Sequence, residues 1–129
     1  MSALLIDSGV ETTRDLLGLL PADLRGRIAP ELLTEPPSAA ALRVLATLRD
    51  QRWLPYVAGA RIDWAGLLEW ARTCASPSVA VRVELAGSLA GSALACPSLL
   101  GGACALDGEN FEALLDALRI ARDGLEVAR

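Results

Sequence analysis

Apolar residues recur along this chain at helical rather than strand spacing. In WAGLLEWARTCA, residues 64–75, Trp64, Leu67, Leu68 and Ala71 fall at i, i+3, i+4 and i+7, with Trp70 to one side of the stripe. In LDGENFEALLDALRIARDG, residues 106–124, Phe111, Leu114, Leu115 and Leu118 form the predicted apolar stripe. Acidic residues fill the first turns of that helix, Arg119 and Arg122 its last, and Gly124 closes it. Asp63, Ser76 and Asp107 stand where N-caps belong, Ser76 directly before Pro77. The helix that opens at Pro77 places Val81, Leu85 and Leu89 on one line.

Upstream, GVETTRDLLGLLP predicts a helix ending near Pro21. PADLRGRI predicts a second, with Leu24 and Ile28 on one face, and PELL a short turn after Pro30. TEPPS reads as a breaker, and Ser38 as the cap of AAALRVLATLRDQ, where Leu42, Leu45, Ala46 and Arg49 share a face. Pro55 and Gly59 make RWLPYVAGARI a loop or a short extended connection. The expected architecture is all-α: a compact bundle of five to seven short helices in one domain, residues 1–129. Within it, 1–37 carry the N-terminal helices and breaker, 38–76 the middle helices, and 77–129 a tri-helical C-terminal unit.

The stretch LAGSLAGSALACPSLLGGACAL, residues 85–106, carries no charge. Its length could span a bilayer, and Gly87 and Gly91 have the small-xxx-small spacing of close-packed helices. Pro97 and the Gly101-Gly102 pair interrupt it, serines dilute it, and no Trp or Tyr flanks it. The expectation is two helices joined at Pro97, their small side chains packing against the Phe111–Leu118 stripe.

The same C-terminal third is similar to two known patterns. The order of helix, short helix and longer helix, ending in LRIARDGLEV, resembles the helix-turn-helix unit of winged-helix repressors. That resemblance implies a remodelled helix-turn-helix transcriptional regulator as the alternative function. RVELAGSL followed by LDGENFEALLDALRIA also resembles small uncharacterised actinobacterial helical proteins. Those share the Leu-Asp, Asn110 and the apolar stripe, but carry His-Ala where this chain has Arg122-Asp123. The second resemblance implies a helical fold and no activity.

Composition sharpens the functional expectation. The chain has 129 residues, 53 % hydrophobic but only 4 % aromatic, so close helix packing falls to Ala, Leu and Val. All 12 of its basic residues are Arg, against 16 acidic ones. The resulting net charge of −4 disfavours phosphate, as do Asp107, Glu109 and Glu112 at the helix end that would enter a major groove. His is absent, which removes the commonest general base, metal ligand and pH switch.

The three cysteines, Cys74, Cys96 and Cys104, show no CxxC spacing and are read as buried thiols of a reducing cytoplasm. The segment MSALLIDSGVETTRD has neither the early basic residue nor the long apolar run of a secretory signal. Glu84, on a largely apolar helix, is expected to pair with Arg82 or another Arg. No phosphate loop or catalytic motif is present.

The expectation is therefore a non-catalytic protein–protein interaction module, an adaptor, regulator or immunity-type protein, possessing no catalytic, metal or cofactor site. A protein partner or self-association as a dimer is expected. Nucleic acid, membrane and small-molecule ligands are not. Trp53, Tyr56, Trp64 and Trp70 gather most of the aromatic surface and are the partner-binding candidates.

Overall fold

The centre of the molecule is a helix built largely from the smallest side chains. The structure, a computed structural model, describes residues 9–95 and 106–127. It is an all-α bundle. In chain order it contains α1 (Thr13–Leu19), α2 (Ala22–Arg25), α3 (Pro30–Thr34), α4 (Pro36–Leu45) and a 3-10 helix (Gln51–Tyr56). A two-residue hairpin, β1 (Val57–Ala58) and β2 (Arg61–Ile62), leads into α5 (Trp64–Cys74), α6 (Pro77–Leu89) and α7 (Gly108–Asp123). In α4, Ala39, Ala40, Ala41, Leu42 and Leu45 are fully buried. Three successive methyl side chains let neighbouring helices approach α4 closely, and both α6 and α7 pack on it. On the other side, α5 packs against α6 and the 3-10 helix, while α1 and α3 lie on α4.

The helix starts follow local chemistry. The Asp63 side chain accepts from the Gly66 amide, the Asp107 side chain from the Asn110 amide, and the Ser76 hydroxyl from the Val79 amide. Thr12 and Asp15 form a reciprocal capping box at α1. At the far end of α7, Gly124 takes φ +75° and donates to the Ile120 carbonyl. That left-handed φ favours glycine.

Four expectations need correction. First, α4 does not wait for Ser38. It begins at Pro36 with Glu35 at the N-cap, and Ser38 donates back to the Glu35 carboxylate at 3.0 Å. Pro36 and Pro37 occupy the first turn, where an amide has no helical acceptor, so this Pro pair starts a helix instead of breaking one. The same helix stops at Leu45, leaving Arg49 outside it and exposed.

Second, α2 is a single turn, and Ile28 lies beyond it in a parallel bridge to Gly59. The Ala29 amide donates to the Gly59 carbonyl, and the Gly59 amide to that of Arg27, so the hairpin turn captures the strand-like segment. Third, α6 turns Val79, Val83, Leu85 and Ala86 inward, leaving Val81 and Leu89 only half-buried.

Fourth, α7 buries Ala113, Leu114, Ala117 and Ile120, while Phe111, Leu115 and Leu118 face outward. The face of α7 that is buried mixes the small Ala113 and Ala117 with Leu114 and Ile120, and α7 packs on α4. The two helices α6 and α7 are held together chiefly through α4.

Of the uncharged stretch, Leu85–Ala95 is described. It completes α6 and turns at Gly91, whose φ is +81°. The break expected at Pro97 and the short helix after it lie outside the described residues, as do Cys96 and Cys104. Among the described residues, no helix is long and apolar enough to cross a membrane.

Candidate functional site

The four aromatic candidates do not share one environment. Trp53, in the 3-10 helix, is fully buried in the hydrophobic core. Trp70 is also buried on α5. Its outer side is covered by Tyr56, with ring centroids 6.5 Å apart, and by the Arg52 guanidinium 5.5 Å from the ring centre. Arg52 is held there by Asp50, at 2.6 Å. The pair pulls the Asp50 carboxyl below its ordinary range, first through the Arg52 side-chain hydrogen bond and then through the Arg52 amide. The indole Nε1 atoms of Trp53 and Trp70 are both buried without a hydrogen-bond partner, so these two rings serve as apolar bulk.

Tyr56 and Trp64 are only half-buried, and they line one open groove of about 510 Å³ with Pro55, Ile62 and the exposed Leu94. Two glycines set the floor. A Cβ on Gly66 would stand 2.9 Å from Tyr56 Cε1, so the tyrosine ring lies directly on the first turn of α5. A Cβ on Gly87 would stand 3.0 Å from the Ala95 methyl and 3.4 Å from Trp64 Cε3, so Trp64 and residue 95 both rest on α6. Arg72 fixes the rim: it donates to both oxygens of Glu84, at 2.6 and 3.0 Å, and to the Leu94 carbonyl at 2.9 Å. The partner expected for Glu84 is therefore Arg72.

Arg82 serves another purpose. It donates to the Thr47 carbonyl and hydroxyl, to Asn110 Oδ1 and to Ser78, and so joins the end of α4, α6 and the start of α7. Burial lowers its pKa, opposed by the nearby Asp107 carboxylate. A polar cleft of about 480 Å³ beside it is lined by both signs of charge, including Arg49, Arg52, Asp107 and Glu109.

Cys74 is exposed, contrary to the expectation of a buried thiol, because it is the last residue of α5 and lies on the solvent side of that helix. Its sulfur lies 3.4 Å from the Thr73 hydroxyl. Among the described residues, no group of three or more His, Cys, Asp or Glu is placed to hold a metal ion.

The surface that sequence reasoning missed is the outer face of α7. Phe111, Leu115 and Leu118 are 37 %, 45 % and 38 % exposed. At about 100° per residue they fall within an arc of roughly 60°, on the side of the helix away from Ala113, Ala117 and Ile120. The sequence carried the signal: Ala113, Ala117 and Ile120 form a second apolar face of α7. Of the expected stripe Leu114 is buried, while Phe111, Leu115 and Leu118 are exposed, so size alone misplaced three of its four residues.

Comparison of the chain with protein-family models, with curated proteins and with solved structures finds no match.

Proposed function

We propose that this chain is a non-catalytic helical interaction module, an adaptor, regulator or immunity-type protein of the cytoplasm, which acts by presenting apolar surface to a protein partner. The observation that carries this reading is the exposed Phe111–Leu115–Leu118 stripe. Scattered exposed leucines are ordinary, but three large apolar side chains aligned on one helix form a contiguous patch of the kind helix-in-groove recognition uses. The groove at Tyr56 and Trp64 offers a second apolar surface on α5 and the hairpin. The first turn of α7 exposes Glu109, which suits a protein partner better than a phosphate backbone.

The test is site-specific photo-crosslinking of the full chain in its native host. A photoreactive residue replacing Leu118 is expected to yield a discrete protein adduct, while the same residue replacing the exposed Glu69 on α5 is expected to yield none. Equal labelling at both positions, or none at Leu118 and none at Trp64, would reject the reading.

A further inference from the structure

The face of α7 has a property beyond being apolar: it complements itself. We propose that the partner of the Phe111–Leu115–Leu118 face is the same face of a second copy, the two α7 helices packing antiparallel about a twofold axis at Leu115. This inference rests on the interaction-module reading and names the occupant of its surface.

The argument is one of register and charge. In an antiparallel pair centred on Leu115, residues whose numbers sum to about 230 come level. Phe111 then meets Leu118 of the second copy, and the two Leu115 side chains meet across the axis. On the same centre, Glu112 comes level with Arg119 of the second copy. Glu112 and Arg119 lie on one flank of the stripe, within about 20° of each other around the helix. In an antiparallel twofold pair like flanks face each other, so each Glu112 faces an Arg119, twice per dimer.

The axis therefore satisfies an apolar core and two opposite-charge pairs in a single register. A parallel twofold pairing would put unlike flanks together, setting Glu112 and Arg119 opposite the Leu114 and Ala121 side of the stripe and forming no such charge pair. Arg119 already bonds Asp116 and the Val10 carbonyl through Nη2, which fixes its stem at the edge of the stripe. A guanidinium has further N–H donors to offer outward.

The 16-residue helix is about 24 Å long, and one helix face buries less than the roughly 800 Å² per partner of a strong interface. The dimer is therefore weak and concentration-dependent, with a dissociation constant on the order of 10 µM or above.

Sedimentation velocity of the full chain tests the proposal. Rising concentration is expected to move the mass from 13.5 kDa towards twice that value. Leu115→Glu places two like charges at the axis and is expected to raise the dissociation constant about tenfold or more. Circular dichroism reports whether that variant is folded.

A second measurement depends on register and not on affinity. With Cys74, Cys96 and Cys104 replaced by Ser, Leu115→Cys is expected to oxidise to a disulfide dimer with itself. Phe111→Cys is expected to cross-link with Leu118→Cys in a mixture, in preference to itself. A chain that stays at one-chain mass up to about 1 mM overturns the proposal. So does a dimer that is indifferent to Leu115→Glu, or one whose cysteine variants cross-link without regard to register. A monomer that still forms the Leu118 photo-adduct with a different protein overturns the second copy as occupant and leaves the interaction reading standing.

Discussion

Asp116 shows how much one carboxylate can organise. Its side chain is 8 % exposed and accepts three hydrogen bonds: from Arg43 Nε at 2.7 Å, from the Val10 amide at 3.0 Å and from Arg119 at 3.1 Å. Arg119 also donates to the Val10 carbonyl, so the two arginines and the carboxylate clamp residues 9–10 between α4 and α7. Removing one member of a buried charged set strands the others. Asp116→Ala is expected to lose about 3 kcal/mol, read as a lower urea midpoint with an unchanged slope.

Asp15 works at the surface and responds to pH instead. Its carboxylate accepts from the Glu11 and Thr12 amides, and these bonds, Glu11 first, hold its pKa below the ordinary 3.8. A depressed native pKa gives stability that is present above 3.8 and is lost as pH falls through the folded value. In Asp15→Ala, thermal melts between about pH 2 and 5 are expected to show a shallower acid limb than the parent. Neither role could be read from the residue type. Asp116 sits in the middle of an acidic-and-basic helix and looks like any solvated charge until Val10 and Arg43 are brought to it from more than 70 positions away.

At the scale of the element, the punctuation was legible and the burial was less so. Asp63, Ser76, Asp107 and Gly124 mark helix ends through groups within three or four residues, so the local sequence contains the whole cause. Which face of a helix is buried depends on what it meets. Phe111, Leu115 and Leu118 turn outward because α7 is buried by its other face, and it packs on α4, an element remote in sequence.

The same contact makes α4 intolerant of bulk. Ala40→Leu is expected to cost about 1–3 kcal/mol by overpacking, seen as a lowered melting temperature. Leu115→Ala, at an exposed site, is expected to stay within about 0.5 kcal/mol of the parent at concentrations where the chain is a monomer. The reverse pattern, with α7's outer face sensitive and Ala40 tolerant, would mean that α7 presents the other side to the core.

For the molecule as a whole, the all-α bundle followed from periodicity and the scarcity of strand alternation. The candidate site followed only in half. Tyr56 and Trp64 reach an accessible groove, whereas Trp53 is buried in the 3-10 helix and Trp70 of α5 is covered by Tyr56 and Arg52 from that helix. A further tie was invisible from either end of the sequence. Thr12 and Glu126 form a parallel bridge: the Thr13 amide donates to the Glu126 carbonyl at 2.9 Å, and the Glu126 amide to the Glu11 carbonyl at 3.0 Å. Glu126→Pro deletes that second donor. It is expected to speed hydrogen exchange at the Thr13 amide about tenfold or more, leaving the Ala46 amide at the end of α4 unchanged.

That bridge also has a meaning in time. The Val10–Asp116 bond closes a loop of 106 residues, while the caps and turns close within four. Chain entropy makes the wide closure the slower one, so local helices form early and this seam is sealed last. During synthesis, the Val10 and Thr13 amides meet these acceptors only after residues 116–126 have left the ribosome. The nascent chain must therefore wait for α7 before the segment leading into its first helix is fastened to the C-terminal end.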